Sequence, residues 1–436
     1  MSLCGSSAAG AGRPRVLLIS LYYAPEQTGI PVYNTGMCSW LAQHGWEVRA
    51  QVGTPHYPWW KVPSPYADRV WWRDGGRENR DGVDVHRVRH AVPSPPLTGL
   101  KRIRLDLAYL WRTTIALFAV RRRPHVVVAV APPFLTGAVA WFHAWRWRVP
   151  VVYHVQDLQI DAAQELGMLP KSLCRILARL ENLVLRRMDM VSTISSGMRR
   201  RIEEKRAARG TVADFPNWAD TGSLRPLTGP SSYRADWGVA DTDVVVAYSG
   251  NLGRKQGLDL LLDAFARLGD EPGLSFVIAG EGAERDDVAS QAERLGVRNL
   301  RLLPLAPVER LGEFLNAADI FCIPQRRGAA ETVMPSKLLN LMATARPVIA
   351  TADPGTSLHA AFRDSGCGVT VAAEDPLALA AAIRDLVRSP ALRARCGAAG
   401  RAYVVAQLDR ERVLGRQEQR LRSLIHRSRQ ETRLGA

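Results

Sequence analysis

Three side chains that could do chemistry stand close together in one stretch of the chain: an acid, Glu331, a base, Lys337, and an amide, Asn340. The stretch is predicted to fold as strand, loop, helix and strand: Asp319–Pro324, the loop that carries Glu331, a helix that follows Met334 and begins at Pro335-Ser336, and Pro347–Thr351. Open parallel sheets bind ligands outside the carboxyl ends of their strands, and the free amides of a helix N-terminus favour phosphate. The stretch therefore fits a phosphate site, although an ordinary surface unit with a solvated Glu and Lys fits it too.

A glycine-rich loop with two cations forms the second candidate site. It follows a predicted strand over Val244–Ser249, precedes a helix from Leu258, and contains Gly250, Asn251, Gly253, Arg254, Lys255 and Gln256. Backbone amides can bind the oxygens of a diphosphate, while cations and the helix dipole offset its charge. The loop matches neither GxGxxG nor GxxxxGK[ST], so it indicates neither a nicotinamide site nor ATP hydrolysis.

Both halves of the chain alternate between predicted strands and helices, and these elements must position the candidate residues. The first half has a strand over Arg15–Ser20, Thr28-Gly29 at the entrance of the next helix, and a later strand that ends in His154, Gln156 and Asp157. No long run of hairpins interrupts either half, so the pattern predicts an α/β protein with two doubly wound domains that face each other. The predicted segments are a disordered leader over 1–14, a first domain over 15–220, a second domain over 221–405 and a basic helix over 406–436.

Two segments of the first half allow two interpretations each. The loop over Gly53–Pro96, which contains Tyr57, is rich in Pro, Trp and Tyr, as expected either of a lid over a site or of a loop with its own small core. Between Leu100 and Arg148, Arg and Trp alternate with aliphatic residues, which could rest on an anionic membrane surface. A core-facing pair of helices is favoured instead, because Trp141 and Trp145 stand i,i+4 on one helical stripe.

Composition limits the partners. The 436 residues include 58 Lys and Arg against 42 Asp and Glu, and this net charge of +16 favours nucleotide phosphates, an acidic membrane surface or nucleic acid. Nucleic acid is not expected, since neither a zinc-finger spacing nor a helix-turn-helix pattern is visible. The six cysteines are scattered without a CxxC pair, which suits a reducing cytosol. Neither a signal peptide nor a run of about 18 apolar residues is visible, so a cytoplasmic protein is predicted.

Several separated motifs, in order along almost the whole chain, resemble the family 4 glycosyltransferases, and most closely the bacterial colanic-acid and O-antigen type. They are YYAPEQTGIPVYNTGMCSWLAQHGWEV, HYPWWKV, HVQDLQIDAAQELG, SGNLGRKQGLDLLLDA, VIAGEGAERDDV, LLPLAPVERLGEFLNAADIFCIPQ and MPSKLLNLMATARPVIAT. The resemblance implies the GT-B fold, with two Rossmann-like domains across a cleft and a final helix that packs back on the first domain. It also implies a sugar-nucleotide donor held mainly by the second domain, retention of anomeric configuration, and neither an essential metal nor a cofactor.

The resemblance assigns roles residue by residue. His154 matches the histidine beside the donor sugar and acceptor, Glu331 lies at or next to the glutamate that contacts the sugar, and Gly29 lies near the donor phosphates. Asn340 stands where the family has a ribose-binding glutamate, and Asn251 and Gln256 stand where it has the phosphate-binding Arg and Lys. These departures indicate either that the cationic charge has moved within the loop, to Arg254 and Lys255, or that the activity has been lost. The donor side further includes Gly280, Glu281, Met334, Pro335, Ser336 and Lys337, and the acceptor side includes Thr28, Tyr57 and Asp157.

The expected function is transfer of a hexose-type sugar from an NDP-sugar to an oligosaccharide acceptor that is lipid-linked, in the assembly of a bacterial exopolysaccharide, capsule or O-antigen. A basic first domain would let a cytoplasmic chain reach its acceptor at the inner face of the membrane without spanning it. Two alternatives remain open at this point. One is a non-catalytic scaffold subunit with the same fold; the other is a sugar-nucleotide epimerase that uses carboxylates such as Glu331, Asp157 and Glu281.

Overall fold

The computed structural model describes residues 12–64, 66–67, 76–94, 99–165, 170–206, 211–269, 271–327 and 336–434. The predicted leader over 1–14 therefore lies almost wholly outside the described residues. The chain divides into two compact units. The first comprises the described residues up to Ile194, Met198–Phe215 and the chain from Leu414; the second comprises Ser195–Gly197 and Pro216–Val413.

The first unit is a mostly parallel sheet with flanking helices. Its strands are β1 (Arg15–Ser20), β2 (Glu47–Gly53), β3 (Arg77–Arg80), β4 (Val83–Val88), β5 (Val126–Ala131), β6 (Val151–Val155), β7 (Met190–Thr193) and β8 (Thr211–Asp214). Its helices are α1 (Ile30–Gln43), α2 (Gly99–Phe118), α3 (Thr136–Trp147), α4 (Gln159–Glu165), α5 (Lys171–Arg186) and α6 (Ser196–Arg206). The strand order is β3-β4-β2-β1-β5-β6-β7-β8, and within this sheet β3 pairs antiparallel to β4 while the other pairs are parallel.

The second unit is a parallel sheet with helices on both faces. Its strands are β9 (Val244–Ser249), β10 (Leu274–Ala279), β11 (Leu300–Leu303), β12 (Ile320–Ile323), β13 (Val348–Thr351) and β14 (Gly368–Val371). Its helices are α7 (Tyr233–Asp236), α8 (Leu258–Ala266), α9 (Arg285–Arg294), α10 (Leu311–Ala317), α11 (Ser336–Ala343), α12 (Ser357–Ser365), α13 (Pro376–Arg388) and α14 (Pro390–Tyr403). A π-helical turn (Val404–Leu408) leads to α15 (Arg410–Leu434), which belongs to the first unit from Leu414 onward. The strand order is β11-β10-β9-β12-β13-β14.

Burial on both faces explains why the strands are continuous apolar runs. In β9, Val245 and Ala247 join one core cluster while Val246 and Tyr248 join the cluster on the opposite face. Alternate side chains of a strand point to opposite faces, so both must be apolar when helices cover both. The predicted α/β fold with two doubly wound sheets is confirmed.

Two predictions about helices need correction. The sequence of Lys101–Arg123, with basic residues at both ends and apolar residues between them, predicts one helix over the whole range. In the structure α2 ends at Phe118, because the next two amides form i→i−3 bonds and Pro124 follows. The stripe of Trp141 and Trp145 does not face the core: Trp145 is 68% exposed, and α3 buries smaller residues such as Ala140 and Ala144 instead.

Candidate active site

The second sheet brings two predicted site segments together at the point where its strand order reverses. From β9 the chain proceeds to β10 and β11 on one side and then returns to β12 on the other side of β9. The loops after β9 and β12 therefore diverge and leave a crevice at the carboxyl edge of the sheet, the usual ligand site of such folds. The glycine-rich loop from Gly250 follows β9, and α11 follows the loop that begins after β12.

Lys337, in the first turn of α11, carries a buried amine without a hydrogen-bond partner among the described residues. Its Nζ lies 4.1 Å from the centroid of the Tyr248 ring, and a Cβ at Gly250 would stand 3.0 Å from Nζ. Burial lowers the pKa of this amine to about 7. An unpaired ammonium is costly to bury, so an anionic ligand at this position would stabilise the protonated, charged form of the amine.

The glycines at this edge serve close packing between two loops. A Cβ at Gly280 would stand 2.1 Å from the carbonyl oxygen of Gly250, and one at Gly282 would stand 2.1 Å from that of Leu252. The Gly250 amide donates to Ala279 at 3.0 Å, and the Gly280 amide donates to Leu303 at 3.0 Å. These two amides are satisfied within the protein, so Gly250 and Gly280 shape the crevice rather than offering N–H groups to a ligand.

The cationic part of the glycine-rich loop is a short 3-10 turn over Arg254–Gln256, which contains Lys255. The Arg254 side chain is 91% exposed, with its Nε 3.7 Å from a carboxylate oxygen of Glu284. Arg326, just after β12, holds the turn in place: its Nε donates to the Arg254 carbonyl at 3.0 Å and its Nη2 to Asp259 at 2.8 Å. The two sides of the crevice are thus tied together by one guanidinium.

In the first unit, the loop after β1 is organised around a buried carboxylate, Glu26. It accepts hydrogen bonds from the backbone amides of Tyr23 (3.3 Å), His56 (2.8 Å) and Tyr57 (2.7 Å). Burial raises the pKa of Glu26 to about 7, although these three amides act to lower it. Glu26 joins the loop after β1 to the loop after β2, and it leaves Thr28 and Gly29 exposed at the start of α1.

His154 is the penultimate residue of β6, so it lies near the carboxyl end of that strand as predicted, and its side chain is buried. It stands in β6 opposite Ser192 of β7, its Nδ1 is 3.1 Å from the Ser192 hydroxyl, and its ring centroid is 4.8 Å from that of Phe215. Burial lowers the pKa of His154 to about 3, so the imidazole is neutral near pH 7. Its chemistry in this position is that of a hydrogen-bonding group and not of a cation. Asp157 lies beyond β6, partly exposed.

Comparison with known proteins identifies the family. Residues 231–403 match the family described as glycosyl transferases group 1, and residues 28–218 match the one described as glycosyl transferase 4-like domain. The chain is 32% identical over 408 residues, 92% of its length and 98% of the relative, to WcaI of Escherichia coli (strain K12), which is named for colanic acid biosynthesis. The chain belongs to the family 4 glycosyltransferases.

Solved structures show the same fold as this glycosyltransferase. Sucrose-phosphate synthase from Thermosynechococcus elongatus superposes with a TM-score of 0.74 at 20% identity, covering 95% of this chain and 100% of that one. Anabaena Alr3699/HepE in complex with UDP and glucose superposes with a TM-score of 0.68 at 16% identity, covering 94% and 100%. The predicted resemblance and the GT-B assignment are confirmed.

The other predicted residues of the glycosyltransferase fall into three groups. Glu331, Met334 and Pro335 lie outside the described residues. Ser336 is the first residue of α11, and Asn340 lies one turn further on, half-buried. The remaining positions are partly exposed or bonded within the loops. The backbone carbonyl of Asn251 accepts a hydrogen bond from the Tyr248 hydroxyl, and the backbone amide of Gln256 donates to the Gly253 carbonyl. The Glu281 carboxylate lies 3.7 Å from the Arg285 guanidinium, and Tyr57 is 38% exposed.

Sequence reasoning missed two residues beyond the carboxyl ends of the strands, Glu26 after β1 and Arg326 after β12. Glu26 stands in the quoted motif APEQTG, but a lone acid in a loop carries no sign that three amides will converge on it. Arg326 had a clearer signal, since it is a cation just beyond a buried strand in the stretch already singled out. Among the residues that the structure describes, no group of three or more His, Cys, Asp or Glu could hold a metal ion.

A Gly280→Ala variant is expected to lose about 1–3 kcal/mol of stability, since the added Cβ would overlap a backbone oxygen and push the two loops apart. Thermal unfolding would measure this effect. Gly229→Ala is the matched control, because a Cβ there meets nothing within 4 Å. A wild-type melting temperature in Gly280→Ala would show that the loops do not need this contact.

Proposed function

We propose that this glycosyltransferase moves a hexose-type sugar from a nucleoside-diphosphate sugar to a lipid-linked oligosaccharide acceptor in the assembly of a bacterial surface polysaccharide. The second unit binds the donor and the first unit binds the acceptor. The observation that carries the proposal is the amine of Lys337 at the reversal point of the second sheet, which is buried and has no hydrogen-bond partner within the described part of the chain. Support also comes from the UDP bound to the HepE structure and from the name of the 32% identical relative.

The proposed chemistry follows from charge. The bond that breaks joins the anomeric carbon to an oxygen of the diphosphate, and negative charge develops on that oxygen as it leaves. The Lys337 ammonium, the N-terminus of α11 and the exposed Arg254 would stabilise this charge without a metal ion. The new bond forms between the anomeric carbon and an acceptor hydroxyl, whose proton is lost, and we propose that the anomeric configuration is retained.

The test is a ligand screen followed by product analysis, all in EDTA. Saturating concentrations of the correct nucleotide, about 100 times Kd, should stabilise the protein by about 2.7 kcal/mol, while the other nucleotides leave the melting temperature unchanged. With its sugar and a lipid-linked acceptor, proton NMR of the product should show the donor's anomeric configuration. Binding without transfer to any lipid-linked acceptor tried would favour the scaffold alternative, and no binding by any of UDP, GDP, dTDP and ADP would overturn the donor site.

A further inference from the structure

The first unit exposes a stripe of large apolar side chains along α2. Leu107, Trp111, Ile115 and Phe118 are 52%, 70%, 54% and 51% exposed. Their spacing of four, four and three residues places them on one face of the helix. Single exposed apolar residues are normal on protein surfaces, but an aligned set on one helix marks a surface that covers something.

Helix α5 repeats the arrangement. Leu173, Ile176, Leu180 and Leu183 are 37%, 54%, 41% and 52% exposed, with a spacing of three, four and three residues. The adjoining side of α5 is buried through Cys174, Val184 and Leu185. The helix therefore has one broad apolar side, of which the fold covers one edge and leaves the other exposed.

Helix α3 lies between α2 and α5 and makes the surface continuous. It packs against both helices. Its Phe142 ring meets Phe118 of α2 at 6.1 Å between centroids, and the guanidinium of Arg187, after α5, lies 4.8 Å from the Trp141 ring. Trp145 stands in the same region with 68% of its surface exposed. We call the exposed apolar residues of α2, α3 and α5 together the apolar face.

The charge around the apolar face is strongly positive. The three helices contain nine Lys and Arg but only two acids, Asp106 and Glu181. Glu181 is buried and accepts from Lys205 at 2.7 Å, and Asp106 is half-buried, so neither offsets the exposed cations fully. Further arginines follow each helix, at Arg121–Arg123, Arg148 and Arg187.

We propose that the apolar face is a docking surface for an anionic lipid bilayer, on which α2, α3 and α5 lie at the level of the head groups. Helices with aromatic and aliphatic residues on one side and Lys or Arg beside them bind in the plane of such an interface. A second copy of the chain fits less well, because two such faces would bring their cations together. No helix within the described ranges has the length and apolar content to cross a bilayer. The inference rests on the proposed function, whose acceptor is lipid-linked.

The test is flotation of the full-length protein with vesicles of phosphatidylcholine containing about one third phosphatidylglycerol. The protein should float with these vesicles and not with pure phosphatidylcholine, and added salt should release it, because salt screens the arginines. Trp111→Ser and Trp145→Ser should each weaken the partition coefficient about tenfold. The double variant Arg112→Glu/Arg179→Glu should lower the partition coefficient roughly 30-fold or more. All four side chains are exposed, so the variants should keep the wild-type melting temperature.

Matched controls lie in the second unit. Leu377→Ser removes an equally exposed apolar side chain, 61% exposed on α13, and Arg395→Glu reverses an exposed arginine on α14; both should float like the wild type. Absence of flotation, or equal flotation of the Trp and Arg variants, would overturn the proposal, as would a concentration-dependent dimer that the Trp variants abolish. Nucleotide binding measured on the same samples keeps the two proposals apart, since it tests the donor site and not the apolar face.

Discussion

A Lys337→Met variant is expected to bind its nucleoside diphosphate about 100-fold more weakly than the unchanged protein, because loss of one partner of a buried charge pair costs 2–5 kcal/mol. The substitution keeps most of the aliphatic side chain and removes the amine that lies over the Tyr248 ring. The folded protein should not be weakened, since the amine has no partner among the described residues and its burial is itself unfavourable. Isothermal titration and thermal unfolding measure the two effects.

The same variant should change the pH dependence of binding. Burial lowers the pKa of Lys337 to about 7, so in the free protein the amine loses its charge as the pH rises through that value. A bound diphosphate favours the charged form and raises the pKa, so binding above pH 7 takes up a proton and Kd rises by up to about tenfold per pH unit. Titrations at pH 7.5–9, in buffers of different ionisation enthalpy, would count about one proton for the wild type and none for Lys337→Met.

Lys61→Met is the control for this experiment, because Lys61 is an exposed lysine of the first unit. It should keep both the affinity and the proton uptake of the wild type. Equal affinity in Lys337→Met and wild type would remove Lys337 from the site, and proton uptake that survives the substitution would assign the titrating group elsewhere.

An Arg234→Met variant is expected to destabilise the second unit by about 3 kcal/mol, the lower end of the range for breaking a buried ion pair. The Arg234 guanidinium donates to the Ala317 carbonyl at 3.0 Å, to the Ala240 carbonyl at 3.1 Å and to Asp319 at 3.2 Å. Asp319 also accepts from the Val245 amide at 2.8 Å, so the pair joins the amino ends of β9 and β12. We expect a destabilisation at the lower end of this range because the Asp319 side chain is 27% exposed, so water can reach the carboxylate when the guanidinium is removed.

Calorimetry should show the Arg234→Met transition about 10 °C below that of the wild type, at 2–4 °C per kcal/mol for a unit of this size. Faster amide hydrogen exchange in β9 and β12 would show that the stability is lost in these two strands. Arg298→Met, which removes an exposed arginine before β11, should leave the temperature of the unfolding transition unchanged. A shift of less than about 2 °C in Arg234→Met would show that water replaces the guanidinium at little cost.

The doubly wound fold could be predicted from the sequence because parallel strands buried on both faces must be continuous apolar runs. The strand over Val244–Ser249 has the predicted bounds. The short helices α4, α7 and α12 were not predicted. Short helices such as α8 and α11 were predicted because a strand and a glycine or proline signal precede them, whereas a few turns of periodicity alone do not identify a helix. Helix α2 was predicted too long because its pattern continues past Phe118, where the backbone tightens.

The residue types of the candidate site could also be identified from the sequence, since a glycine-rich loop after a strand and a lysine at a helix start are compatible with a phosphate site. Whether each side chain is buried or paired could not. The Lys337 amine packs against Tyr248 and Gly250, which precede it by almost ninety residues, and it has no hydrogen-bond partner among the residues that the structure describes. Likewise the Glu26 carboxylate is a loop acid in the sequence and becomes the acceptor of three amides only when the loops after β1 and β2 meet.

The family, the alternation of strands and helices, and the kinds of side chain at the edge of each sheet follow from the order of the amino acids. Burial, the partners of each side chain and the direction in which an amphipathic helix faces depend on contacts between segments that are far apart in the chain. Trp141 and Trp145 were predicted to face the core, but the side of α3 that packs on the fold is the one that carries Ala140, His143, Ala144 and Trp147, and Trp145 is left at the surface. Periodicity shows that a helix has an apolar stripe, but it cannot show whether the fold or another surface covers it.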